Sequence, residues 1–459
     1  MMCVHNDKLV SINEMPNKPI QSVQKPYTRH FMPMPVEPLP DSLIYKNPPP
    51  SFREVAFEIS RRLLGEHYTD AELSALIAEA FPFRVSVAPI DPRTYLLNLT
   101  YGPSGTAADL AARFSALLSS SPQERPLLVI LIGETDADIA LARAFSCIEN
   151  MHCIFLYPAN AFSKPYQQSM LRLSGTLQQV RVQGSLQDCR NLQHQLYTDE
   201  TLNKKYTVIP YTNIDKACLI SAAFCTVYAA LAVLSRSSYD NTIENPQLIM
   251  SFSVNTYNML SAAMLVRNMK APVSGYIAVT DAGDTFDSSV FYSTASTQGV
   301  AYSADSLRRI KQLCGEKPIT SDMLFYRLDP AWREEAIDNC NDKTGIMLSR
   351  DGAALWYAWN DVRNGCVNAV KYAKQIAPIG VYGTERSIPY WAQSDNYARS
   401  CMGVITEVTH PALHAALIKD AIGQEPPIPY HFEQLHCPLQ PLEVEAEYFE
   451  LRDKIIRCL

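Results

Sequence analysis

The chain has 459 residues, long for one ordinary domain and suited to two or three. Hydrophobic residues make up 47% and charged residues 19%, the balance of a soluble globular protein. The formal net charge is -7 with both signs scattered, so there is no basic field to draw nucleic acid. The first residues, Met1 to Lys8, show neither an apolar signal core nor an acid-poor amphipathic presequence. With twelve cysteines at irregular spacing, the simplest expectation is a cytoplasmic protein whose thiols are reduced, small buried groups. Only 17 glycines occur, about half the usual share, a first hint that backbone cradles for phosphate are scarce.

Residues 1–50 carry ten prolines, and proline fixes φ and donates no backbone N–H. An extended N-terminal segment lying across the body of the protein is expected there. From Ser51 the apolar residues Phe52, Val55, Phe57, Ile59, Leu63 and Leu64 follow helical spacing, with Ser51 as the cap. Thr69 to Glu72 resembles a capping box that opens a second helix, running to Phe81. Strand and helix then alternate. Strands are predicted at Tyr95–Leu99, Leu127–Ile132, Cys153–Tyr157 and Gln179–Val182, and helices at Ala107–Leu118, Ala137–Phe145 and Gln167–Leu173. The run Leu127–Ile132 is apolar throughout, as in a strand covered on both faces. Ala217 to Leu234 spans eighteen uncharged residues, near the length of a membrane span. Its Ser221, Thr226 and Tyr228, and its position between α/β units, favour a buried core helix. Strands at Leu248–Val254 and Gly275–Val279 then flank a helix from Met259 to Met269. The pattern divides the chain into an extension (1–50), a helical entry (51–100), one α/β lobe (101–245) and a second lobe with the C-terminal region (246–459).

Several segments in order resemble the threonine synthase family: Glu54–Ile59, Tyr101-Gly102-Pro103-Ser104, Phe155-Leu156-Tyr157-Pro158 with Ser163, Pro165 and Gln167, Val182–Cys189, Phe252-Ser253-Val254, and His410-Pro411-Ala412. The match runs from about residue 52 to the C-terminus and is weak between about 286 and 345. The resemblance implies a tryptophan synthase β-like fold (pyridoxal-phosphate fold type II), with two α/β lobes and mostly parallel sheets. It also implies pyridoxal phosphate as cofactor and O-phosphohomoserine as substrate. Such chemistry needs a lysine for the Schiff base and a cradle for the cofactor's phosphate.

The family's His-Gly-Pro-Thr-Leu-Ala-Phe-Lys-Asp-Phe aligns without a gap on Tyr101 to Leu110, which puts Ala108 at the lysine position. A methyl group cannot form an imine. Lys164, Lys216 and Lys270 lie near other pocket motifs, but the ordinary role of such lysines is solvated surface charge. The phosphate loop Ser-Val-Pro-Thr-Gly-Asn-Phe-Gly-Asn becomes Ser253 to Met259, shorter and without glycine, leaving Asn255, Thr256 and Asn258 as its remnants. The substrate loop becomes Gly133 to Ala140, where Glu134, Asp136 and Asp138 suit a helix start and oppose an anionic substrate. Pro210 replaces a cofactor-side asparagine and Ala161 a lysine. The family's Gly-Thr before Ala-His-Pro becomes Glu407-Val408, which loses a hydroxyl, with Thr406 able to substitute only after a register shift. These losses are separate in sequence and converge on one site.

The expectation is therefore a threonine synthase-like pseudoenzyme that binds a small ligand or protein partner and needs no cofactor. The vestigial cleft would be formed by Ser104, Asp109, Thr135, Asp136, Asn213, Asn255, Thr256 and Asn258. The alternative is a divergent lyase acting on O-phosphohomoserine or a related substrate. A homo-oligomer is compatible with the sequence; nucleic acid and membrane are not expected as partners. His152 and Cys153 near Cys147 are too loosely spaced for a metal site, as are the C-terminal histidines, and no metal is expected. Ser104, Thr106 and Asp109 suggest a Ser/Asp pair, but no histidine is tied to it. The Trp356–Trp359 cluster is expected to pack a helix on the core.

Overall fold

The computed structural model describes residues 2–5, 8–11, 30–32, 36–120, 125–133, 136–159, 176–209, 211–237, 247–253, 259–281, 309–310, 312–315, 321–328, 330–365, 379–382, 389–392, 395–429 and 441–458. Strands β1 (Met2–His5), β2 (Lys8–Ser11) and β3 (His30–Met32) pair antiparallel with each other, so part of the proline-rich segment is a small sheet of its own. Leu39 and Leu43, on and beside the short helix α1 (Asp41–Ile44), are buried in the main core. Both predicted capping boxes form. Ser51 and Glu54 close the start of α2 (Phe52–Leu64), and Thr69 and Glu72 the start of α3 (Asp70–Ala80).

A seven-stranded sheet is built from β4 (Ser86–Asp91), β5 (Thr94–Asn98), β10 (Leu248–Ser253), β11 (Gly275–Asp281), β12 (Met323–Leu328), β13 (Ile379–Tyr382) and β14 (Met402–Glu407), in the order β13-β12-β11-β10-β14-β5-β4. Its five central strands are parallel and both edge strands are antiparallel. The second sheet is parallel throughout: β15-β8-β7-β6-β9, from β6 (Leu127–Ile132), β7 (Met151–Pro158), β8 (Leu177–Gln183), β9 (Thr207–Val208) and β15 (Leu442–Glu445). The α/β class and the predicted strands stand, with boundaries moved by a residue or two. Hairpin strand β4 was missed because Pro89 and the partly exposed face of the edge mask its alternation. The predicted helix at 167–173 lies outside the described residues.

The sheets are not contiguous in sequence. β4 and β5 join strands from the second half of the chain, and β15 returns to the sheet of the first half. Divisions at 100/101 and 245/246 therefore cut across both sheets. Tyr448 and Arg452 of the last helix (Tyr448–Cys458) donate to Asp199, at 2.5 and 2.6 Å, and fasten this returning segment.

Two helices matter most for the site. α4 (Ala108–Ser119) is largely apolar and buried on most of its surface, with only Arg113 and Leu117 partly exposed. Leu110, Phe114 and Leu118 enter the core under the large sheet, whereas Ala108, Ala112 and Ala116 enter the core of the small one. The long uncharged segment lies within a single helix, Tyr211–Ser237. Its stretch Ile214–Arg236 is apolar enough to cross a membrane, yet 78% of the most apolar window is buried inside the protein. Ser221 and Thr226 return their hydroxyls to the carbonyls of Ala217 and Ala222, which removes the cost of burying them.

The other face of the large sheet is covered by the helices Pro330–Thr344 and Arg350–Arg363. As expected, Trp356 and Trp359 pack there, and the indole of Trp359 donates to Thr94 Oγ1 at 3.0 Å. Its ring lies directly over Gly403 of β14, where any Cβ would overlap it. Gly403→Ala should therefore destabilise the protein by about 1–3 kcal/mol or more, measured by urea unfolding. Gly423, which has no neighbour in its side-chain direction but a φ of 71°, should respond to alanine through backbone strain alone.

Candidate functional site

The turn at residues 101–107 leads into α4 and lies against the end of β14. Leu99 N–H donates to the Glu407 carbonyl at 3.0 Å, Ala107 N–H to Val408 at 2.7 Å, and His410 N–H to Gly105 at 2.8 Å. Thr106 and Thr409 form an isolated antiparallel bridge. Gly105 has φ 72°, a conformation that only glycine adopts at no steric cost.

Ser104 and Asp109, two of the residues singled out from the sequence, meet in this turn. The Asp109 carboxylate accepts Ser104 N–H at 2.7 Å and Ser104 Oγ at 2.8 Å, and Ser104 Oγ lies 2.8 Å from Thr106 Oγ1. The carboxylate covers Gly102 so closely that a Cβ there would overlap it. Burial pushes the Asp109 pKa up to about 6, against the lowering effect of the Ser104 hydrogen bonds and of Arg143 and Arg113. This Ser/Asp pair closes a turn. His410, the histidine at hand, accepts Ala412 N–H at 3.2 Å on Nδ1 and caps the short 3-10 turn Pro411–His414.

Ala108 is 5% exposed and belongs to the small-sheet core together with Leu131, Ile139, Phe155 and Tyr157. Asp136 opens the helix Asp136–Ser146, and Asp138 is half-buried in its first turn. Asn213 falls in the first turn of the helix Tyr211–Ser237. Thr135, Asn255, Thr256 and Asn258 lie outside the described residues, as do the side chains of Asp136 and Asn213.

At the end of β14 no register shift occurs. Thr406 pairs with Leu97 and Glu407 with Asn98, in step with the rest of the strand. Thr406 is 1% exposed. Its hydroxyl is buried without a hydrogen-bond partner, a cost of about 1–3 kcal/mol.

Glu407 is a residue the sequence reading passed over as a mere replacement. It is 2% exposed. Its carboxylate accepts Ser349 N–H at 2.9 Å and the Ser349 hydroxyl, at the start of the helix Arg350–Arg363. A Cβ on Gly352 would strike it. Burial pushes its pKa up to about 7, with Asp351 adding to the rise and the Ser349 bonds opposing it. A lone charged residue in an apolar strand end was the available signal. The loosely clustered His152 and Cys153 separate: His152 packs edge-on against Tyr206, and Cys153 is buried with its thiol pKa raised by burial.

No family model matches the chain. It is 23% identical over 393 residues to the threonine synthase of Serratia marcescens, covering 85% of this chain and 84% of that protein. Against the threonine synthase of Haemophilus influenzae it is 24% identical over 406 residues, 87% and 88% of the two chains. The solved threonine synthase of Escherichia coli superposes over 100% of both chains with a TM-score of 0.74 at 18% identity. The pyridoxal-phosphate-bound threonine synthase from Brucella melitensis superposes with a TM-score of 0.69 at 16% identity, over 94% of this chain and 93% of that one. The fold is therefore the two-lobed, mostly parallel tryptophan synthase β-like fold expected from the sequence.

The buried acids give a pH signature. Both folded-state values lie above the ordinary carboxylate range, so the folded protein holds these protons longer than the unfolded chain. Their contribution to stability is greatest at low pH and is lost as pH rises through about 4 to 7. Glu407→Gln should flatten the stability profile between about pH 5 and 7.5, recovering on the order of 2–3 kcal/mol at the upper end relative to pH 5. Urea midpoints across that range check it.

Proposed function

We propose that this chain, a distant member of the threonine synthase family, works without a Schiff base and acts by binding a small ligand or a protein partner rather than by forming threonine. Kinship with a pyridoxal-phosphate-bound enzyme points to that cofactor as the group the fold was built around. The residues described here do not fit it. The observation that carries the reading is Ala108: a buried methyl stands where the family's lysine would stand, on the face of α4 that packs into the small-sheet core. Beside it, Asp109 is committed to Ser104, and Val408 offers no hydroxyl.

Two further features support the same reading. Asp136 and Asp138 belong to the segment that resembles the substrate loop and fall at the start of the helix Asp136–Ser146, and acidic residues there disfavour a phosphorylated, carboxylate-bearing substrate. Glu407 adds a second buried acid at the end of the strand where the family's pattern has glycine.

Purified protein incubated with pyridoxal phosphate and then desalted should be colourless, and its Tm should match that of untreated protein. A ligand that bound at a hundredfold excess over Kd would add about 2.7 kcal/mol, an easily measured rise. A retained visible band overturns the reading. Ala108→Lys should not create activity. It forces a long side chain into a filled core, costing about 1–3 kcal/mol in urea unfolding, and should release no phosphate from O-phosphohomoserine.

A further inference from the structure

Strand β15 and the last helix, Tyr448–Cys458, form one C-terminal segment whose contacts converge on a short stretch of the first half of the chain. β15 pairs parallel with Val180–Gln183, at the edge of the small sheet. Val444, Leu451 and Ile455 are buried in one apolar cluster with Val182, Cys189 and Leu192. A Cβ on Gly184 would come within 3.2 Å of the Ala446 methyl, so the segment also seats closely on the turn after β8. The polar anchor is Asp199, which is 8% exposed. Its Oδ2 accepts the Tyr448 hydroxyl at 2.5 Å and Arg452 Nε at 2.6 Å, while Oδ1 accepts Leu202 N–H at 2.8 Å. Arg452 Nη2 also donates to Thr201 Oγ1 at 2.7 Å.

These contacts have the character of a recognition surface. A strand edge offers backbone donors and acceptors to any extended segment, and the side-chain sites beside it decide which segment is taken. Here the edge is followed by an apolar strip along the helix Leu186–Thr198 and then by one carboxylate. The segment that answers it carries Val444 inward on the strand, then a hydroxyl and a cation four residues apart on one helix face, so that both reach the same oxygen. Arg181 and Glu443 meet at 3.1 Å on the exposed side, where an ion pair contributes little. The apolar strip and Asp199 therefore dominate. The strand-edge and polar contacts lie on residues 180–202 and are answered by residues 442–458. They depend on the chemistry of the two stretches and not on which copy of the chain supplies each.

We propose that the β8 edge, the helix Leu186–Thr198 and Asp199 form a docking surface for a strand followed by a helix, closed by the chain's own C-terminal segment and able to take the same segment from a second copy. Ala108 belongs to the cluster on the other face of this sheet, so the inference does not rest on the proposed function.

The test uses the full chain and a fluorescent synthetic peptide of residues 441–459, with binding read by anisotropy. Tyr448→Phe/Arg452→Gln weakens the chain's own segment and leaves the surface intact. The peptide should bind this double variant about tenfold or more tighter than it binds the unmodified chain. Adding Asp199→Asn to the double variant, or putting the two substitutions into the peptide instead, should remove that gain. Equal binding to the unmodified chain and the double variant overturns the proposal, as does equal binding of the natural and the substituted peptide to the double variant. Hydrogen exchange on the unmodified chain gives a reading that needs no variant to fold. The amides of 442–445 and 180–183 should exchange together and faster than those of 128–131 in β6, the mark of a segment that opens on its own. If 442–445 open only together with β6, the segment is an inseparable part of the fold and the proposal fails.

Discussion

The placement of α4 is the constraint on which the site depends. This helix is buried over most of its surface, and two of its faces belong to two different cores, one under each sheet. It cannot rotate or slide without opening one of them. The turn before it is fixed in turn by three backbone bonds to the end of β14 and its neighbours, and by the Asp109 carboxylate closing over Gly102 onto Ser104. Position 108 is thereby aimed at the small-sheet core. With alanine there the core closes, and a residue that needs free space and water has none.

A second regularity is that the buried charges are satisfied from inside. Asp109 is held by Ser104, Glu407 by Ser349 at a helix start, and Asp215 by Arg309. Burying a carboxylate is costly unless hydrogen bonds or an opposite charge replace water. A site poised for an anionic ligand keeps its donors pointing outward to the ligand. Thr406 differs: its hydroxyl, like that of Ser251 on the neighbouring strand, is buried without a hydrogen-bond partner among the described residues.

Much of this was legible in the sequence, because the signals are local. The Ser51 and Thr69 capping boxes, the apolar run at Leu127–Ile132 and the uncharged core helix each follow from a few adjacent residues. The Ser104–Asp109 contact spans five residues and sits within one motif, so it too could be read. What could not be read was long-range. Residues 94 and 359, 349 and 407, and 215 and 309 come together only through the topology of the sheets. The return of β15 to the first sheet is likewise a matter of where the chain crosses over, and no composition shift marks it. Glu407 was visible as a departure from a family pattern, but its partner Ser349 lies in a stretch with no motif of its own.

The most direct measurement is peptide mapping after borohydride reduction of the protein saturated with pyridoxal phosphate. An imine on any lysine is trapped as a stable adduct, so the result does not depend on colour or on turnover. A cleft with Ala108 at the lysine position yields no stoichiometric adduct, only traces scattered over exposed lysines. A single lysine carrying one equivalent would contradict the account, because it would mean that another amine has taken over the role that Ala108 cannot fill.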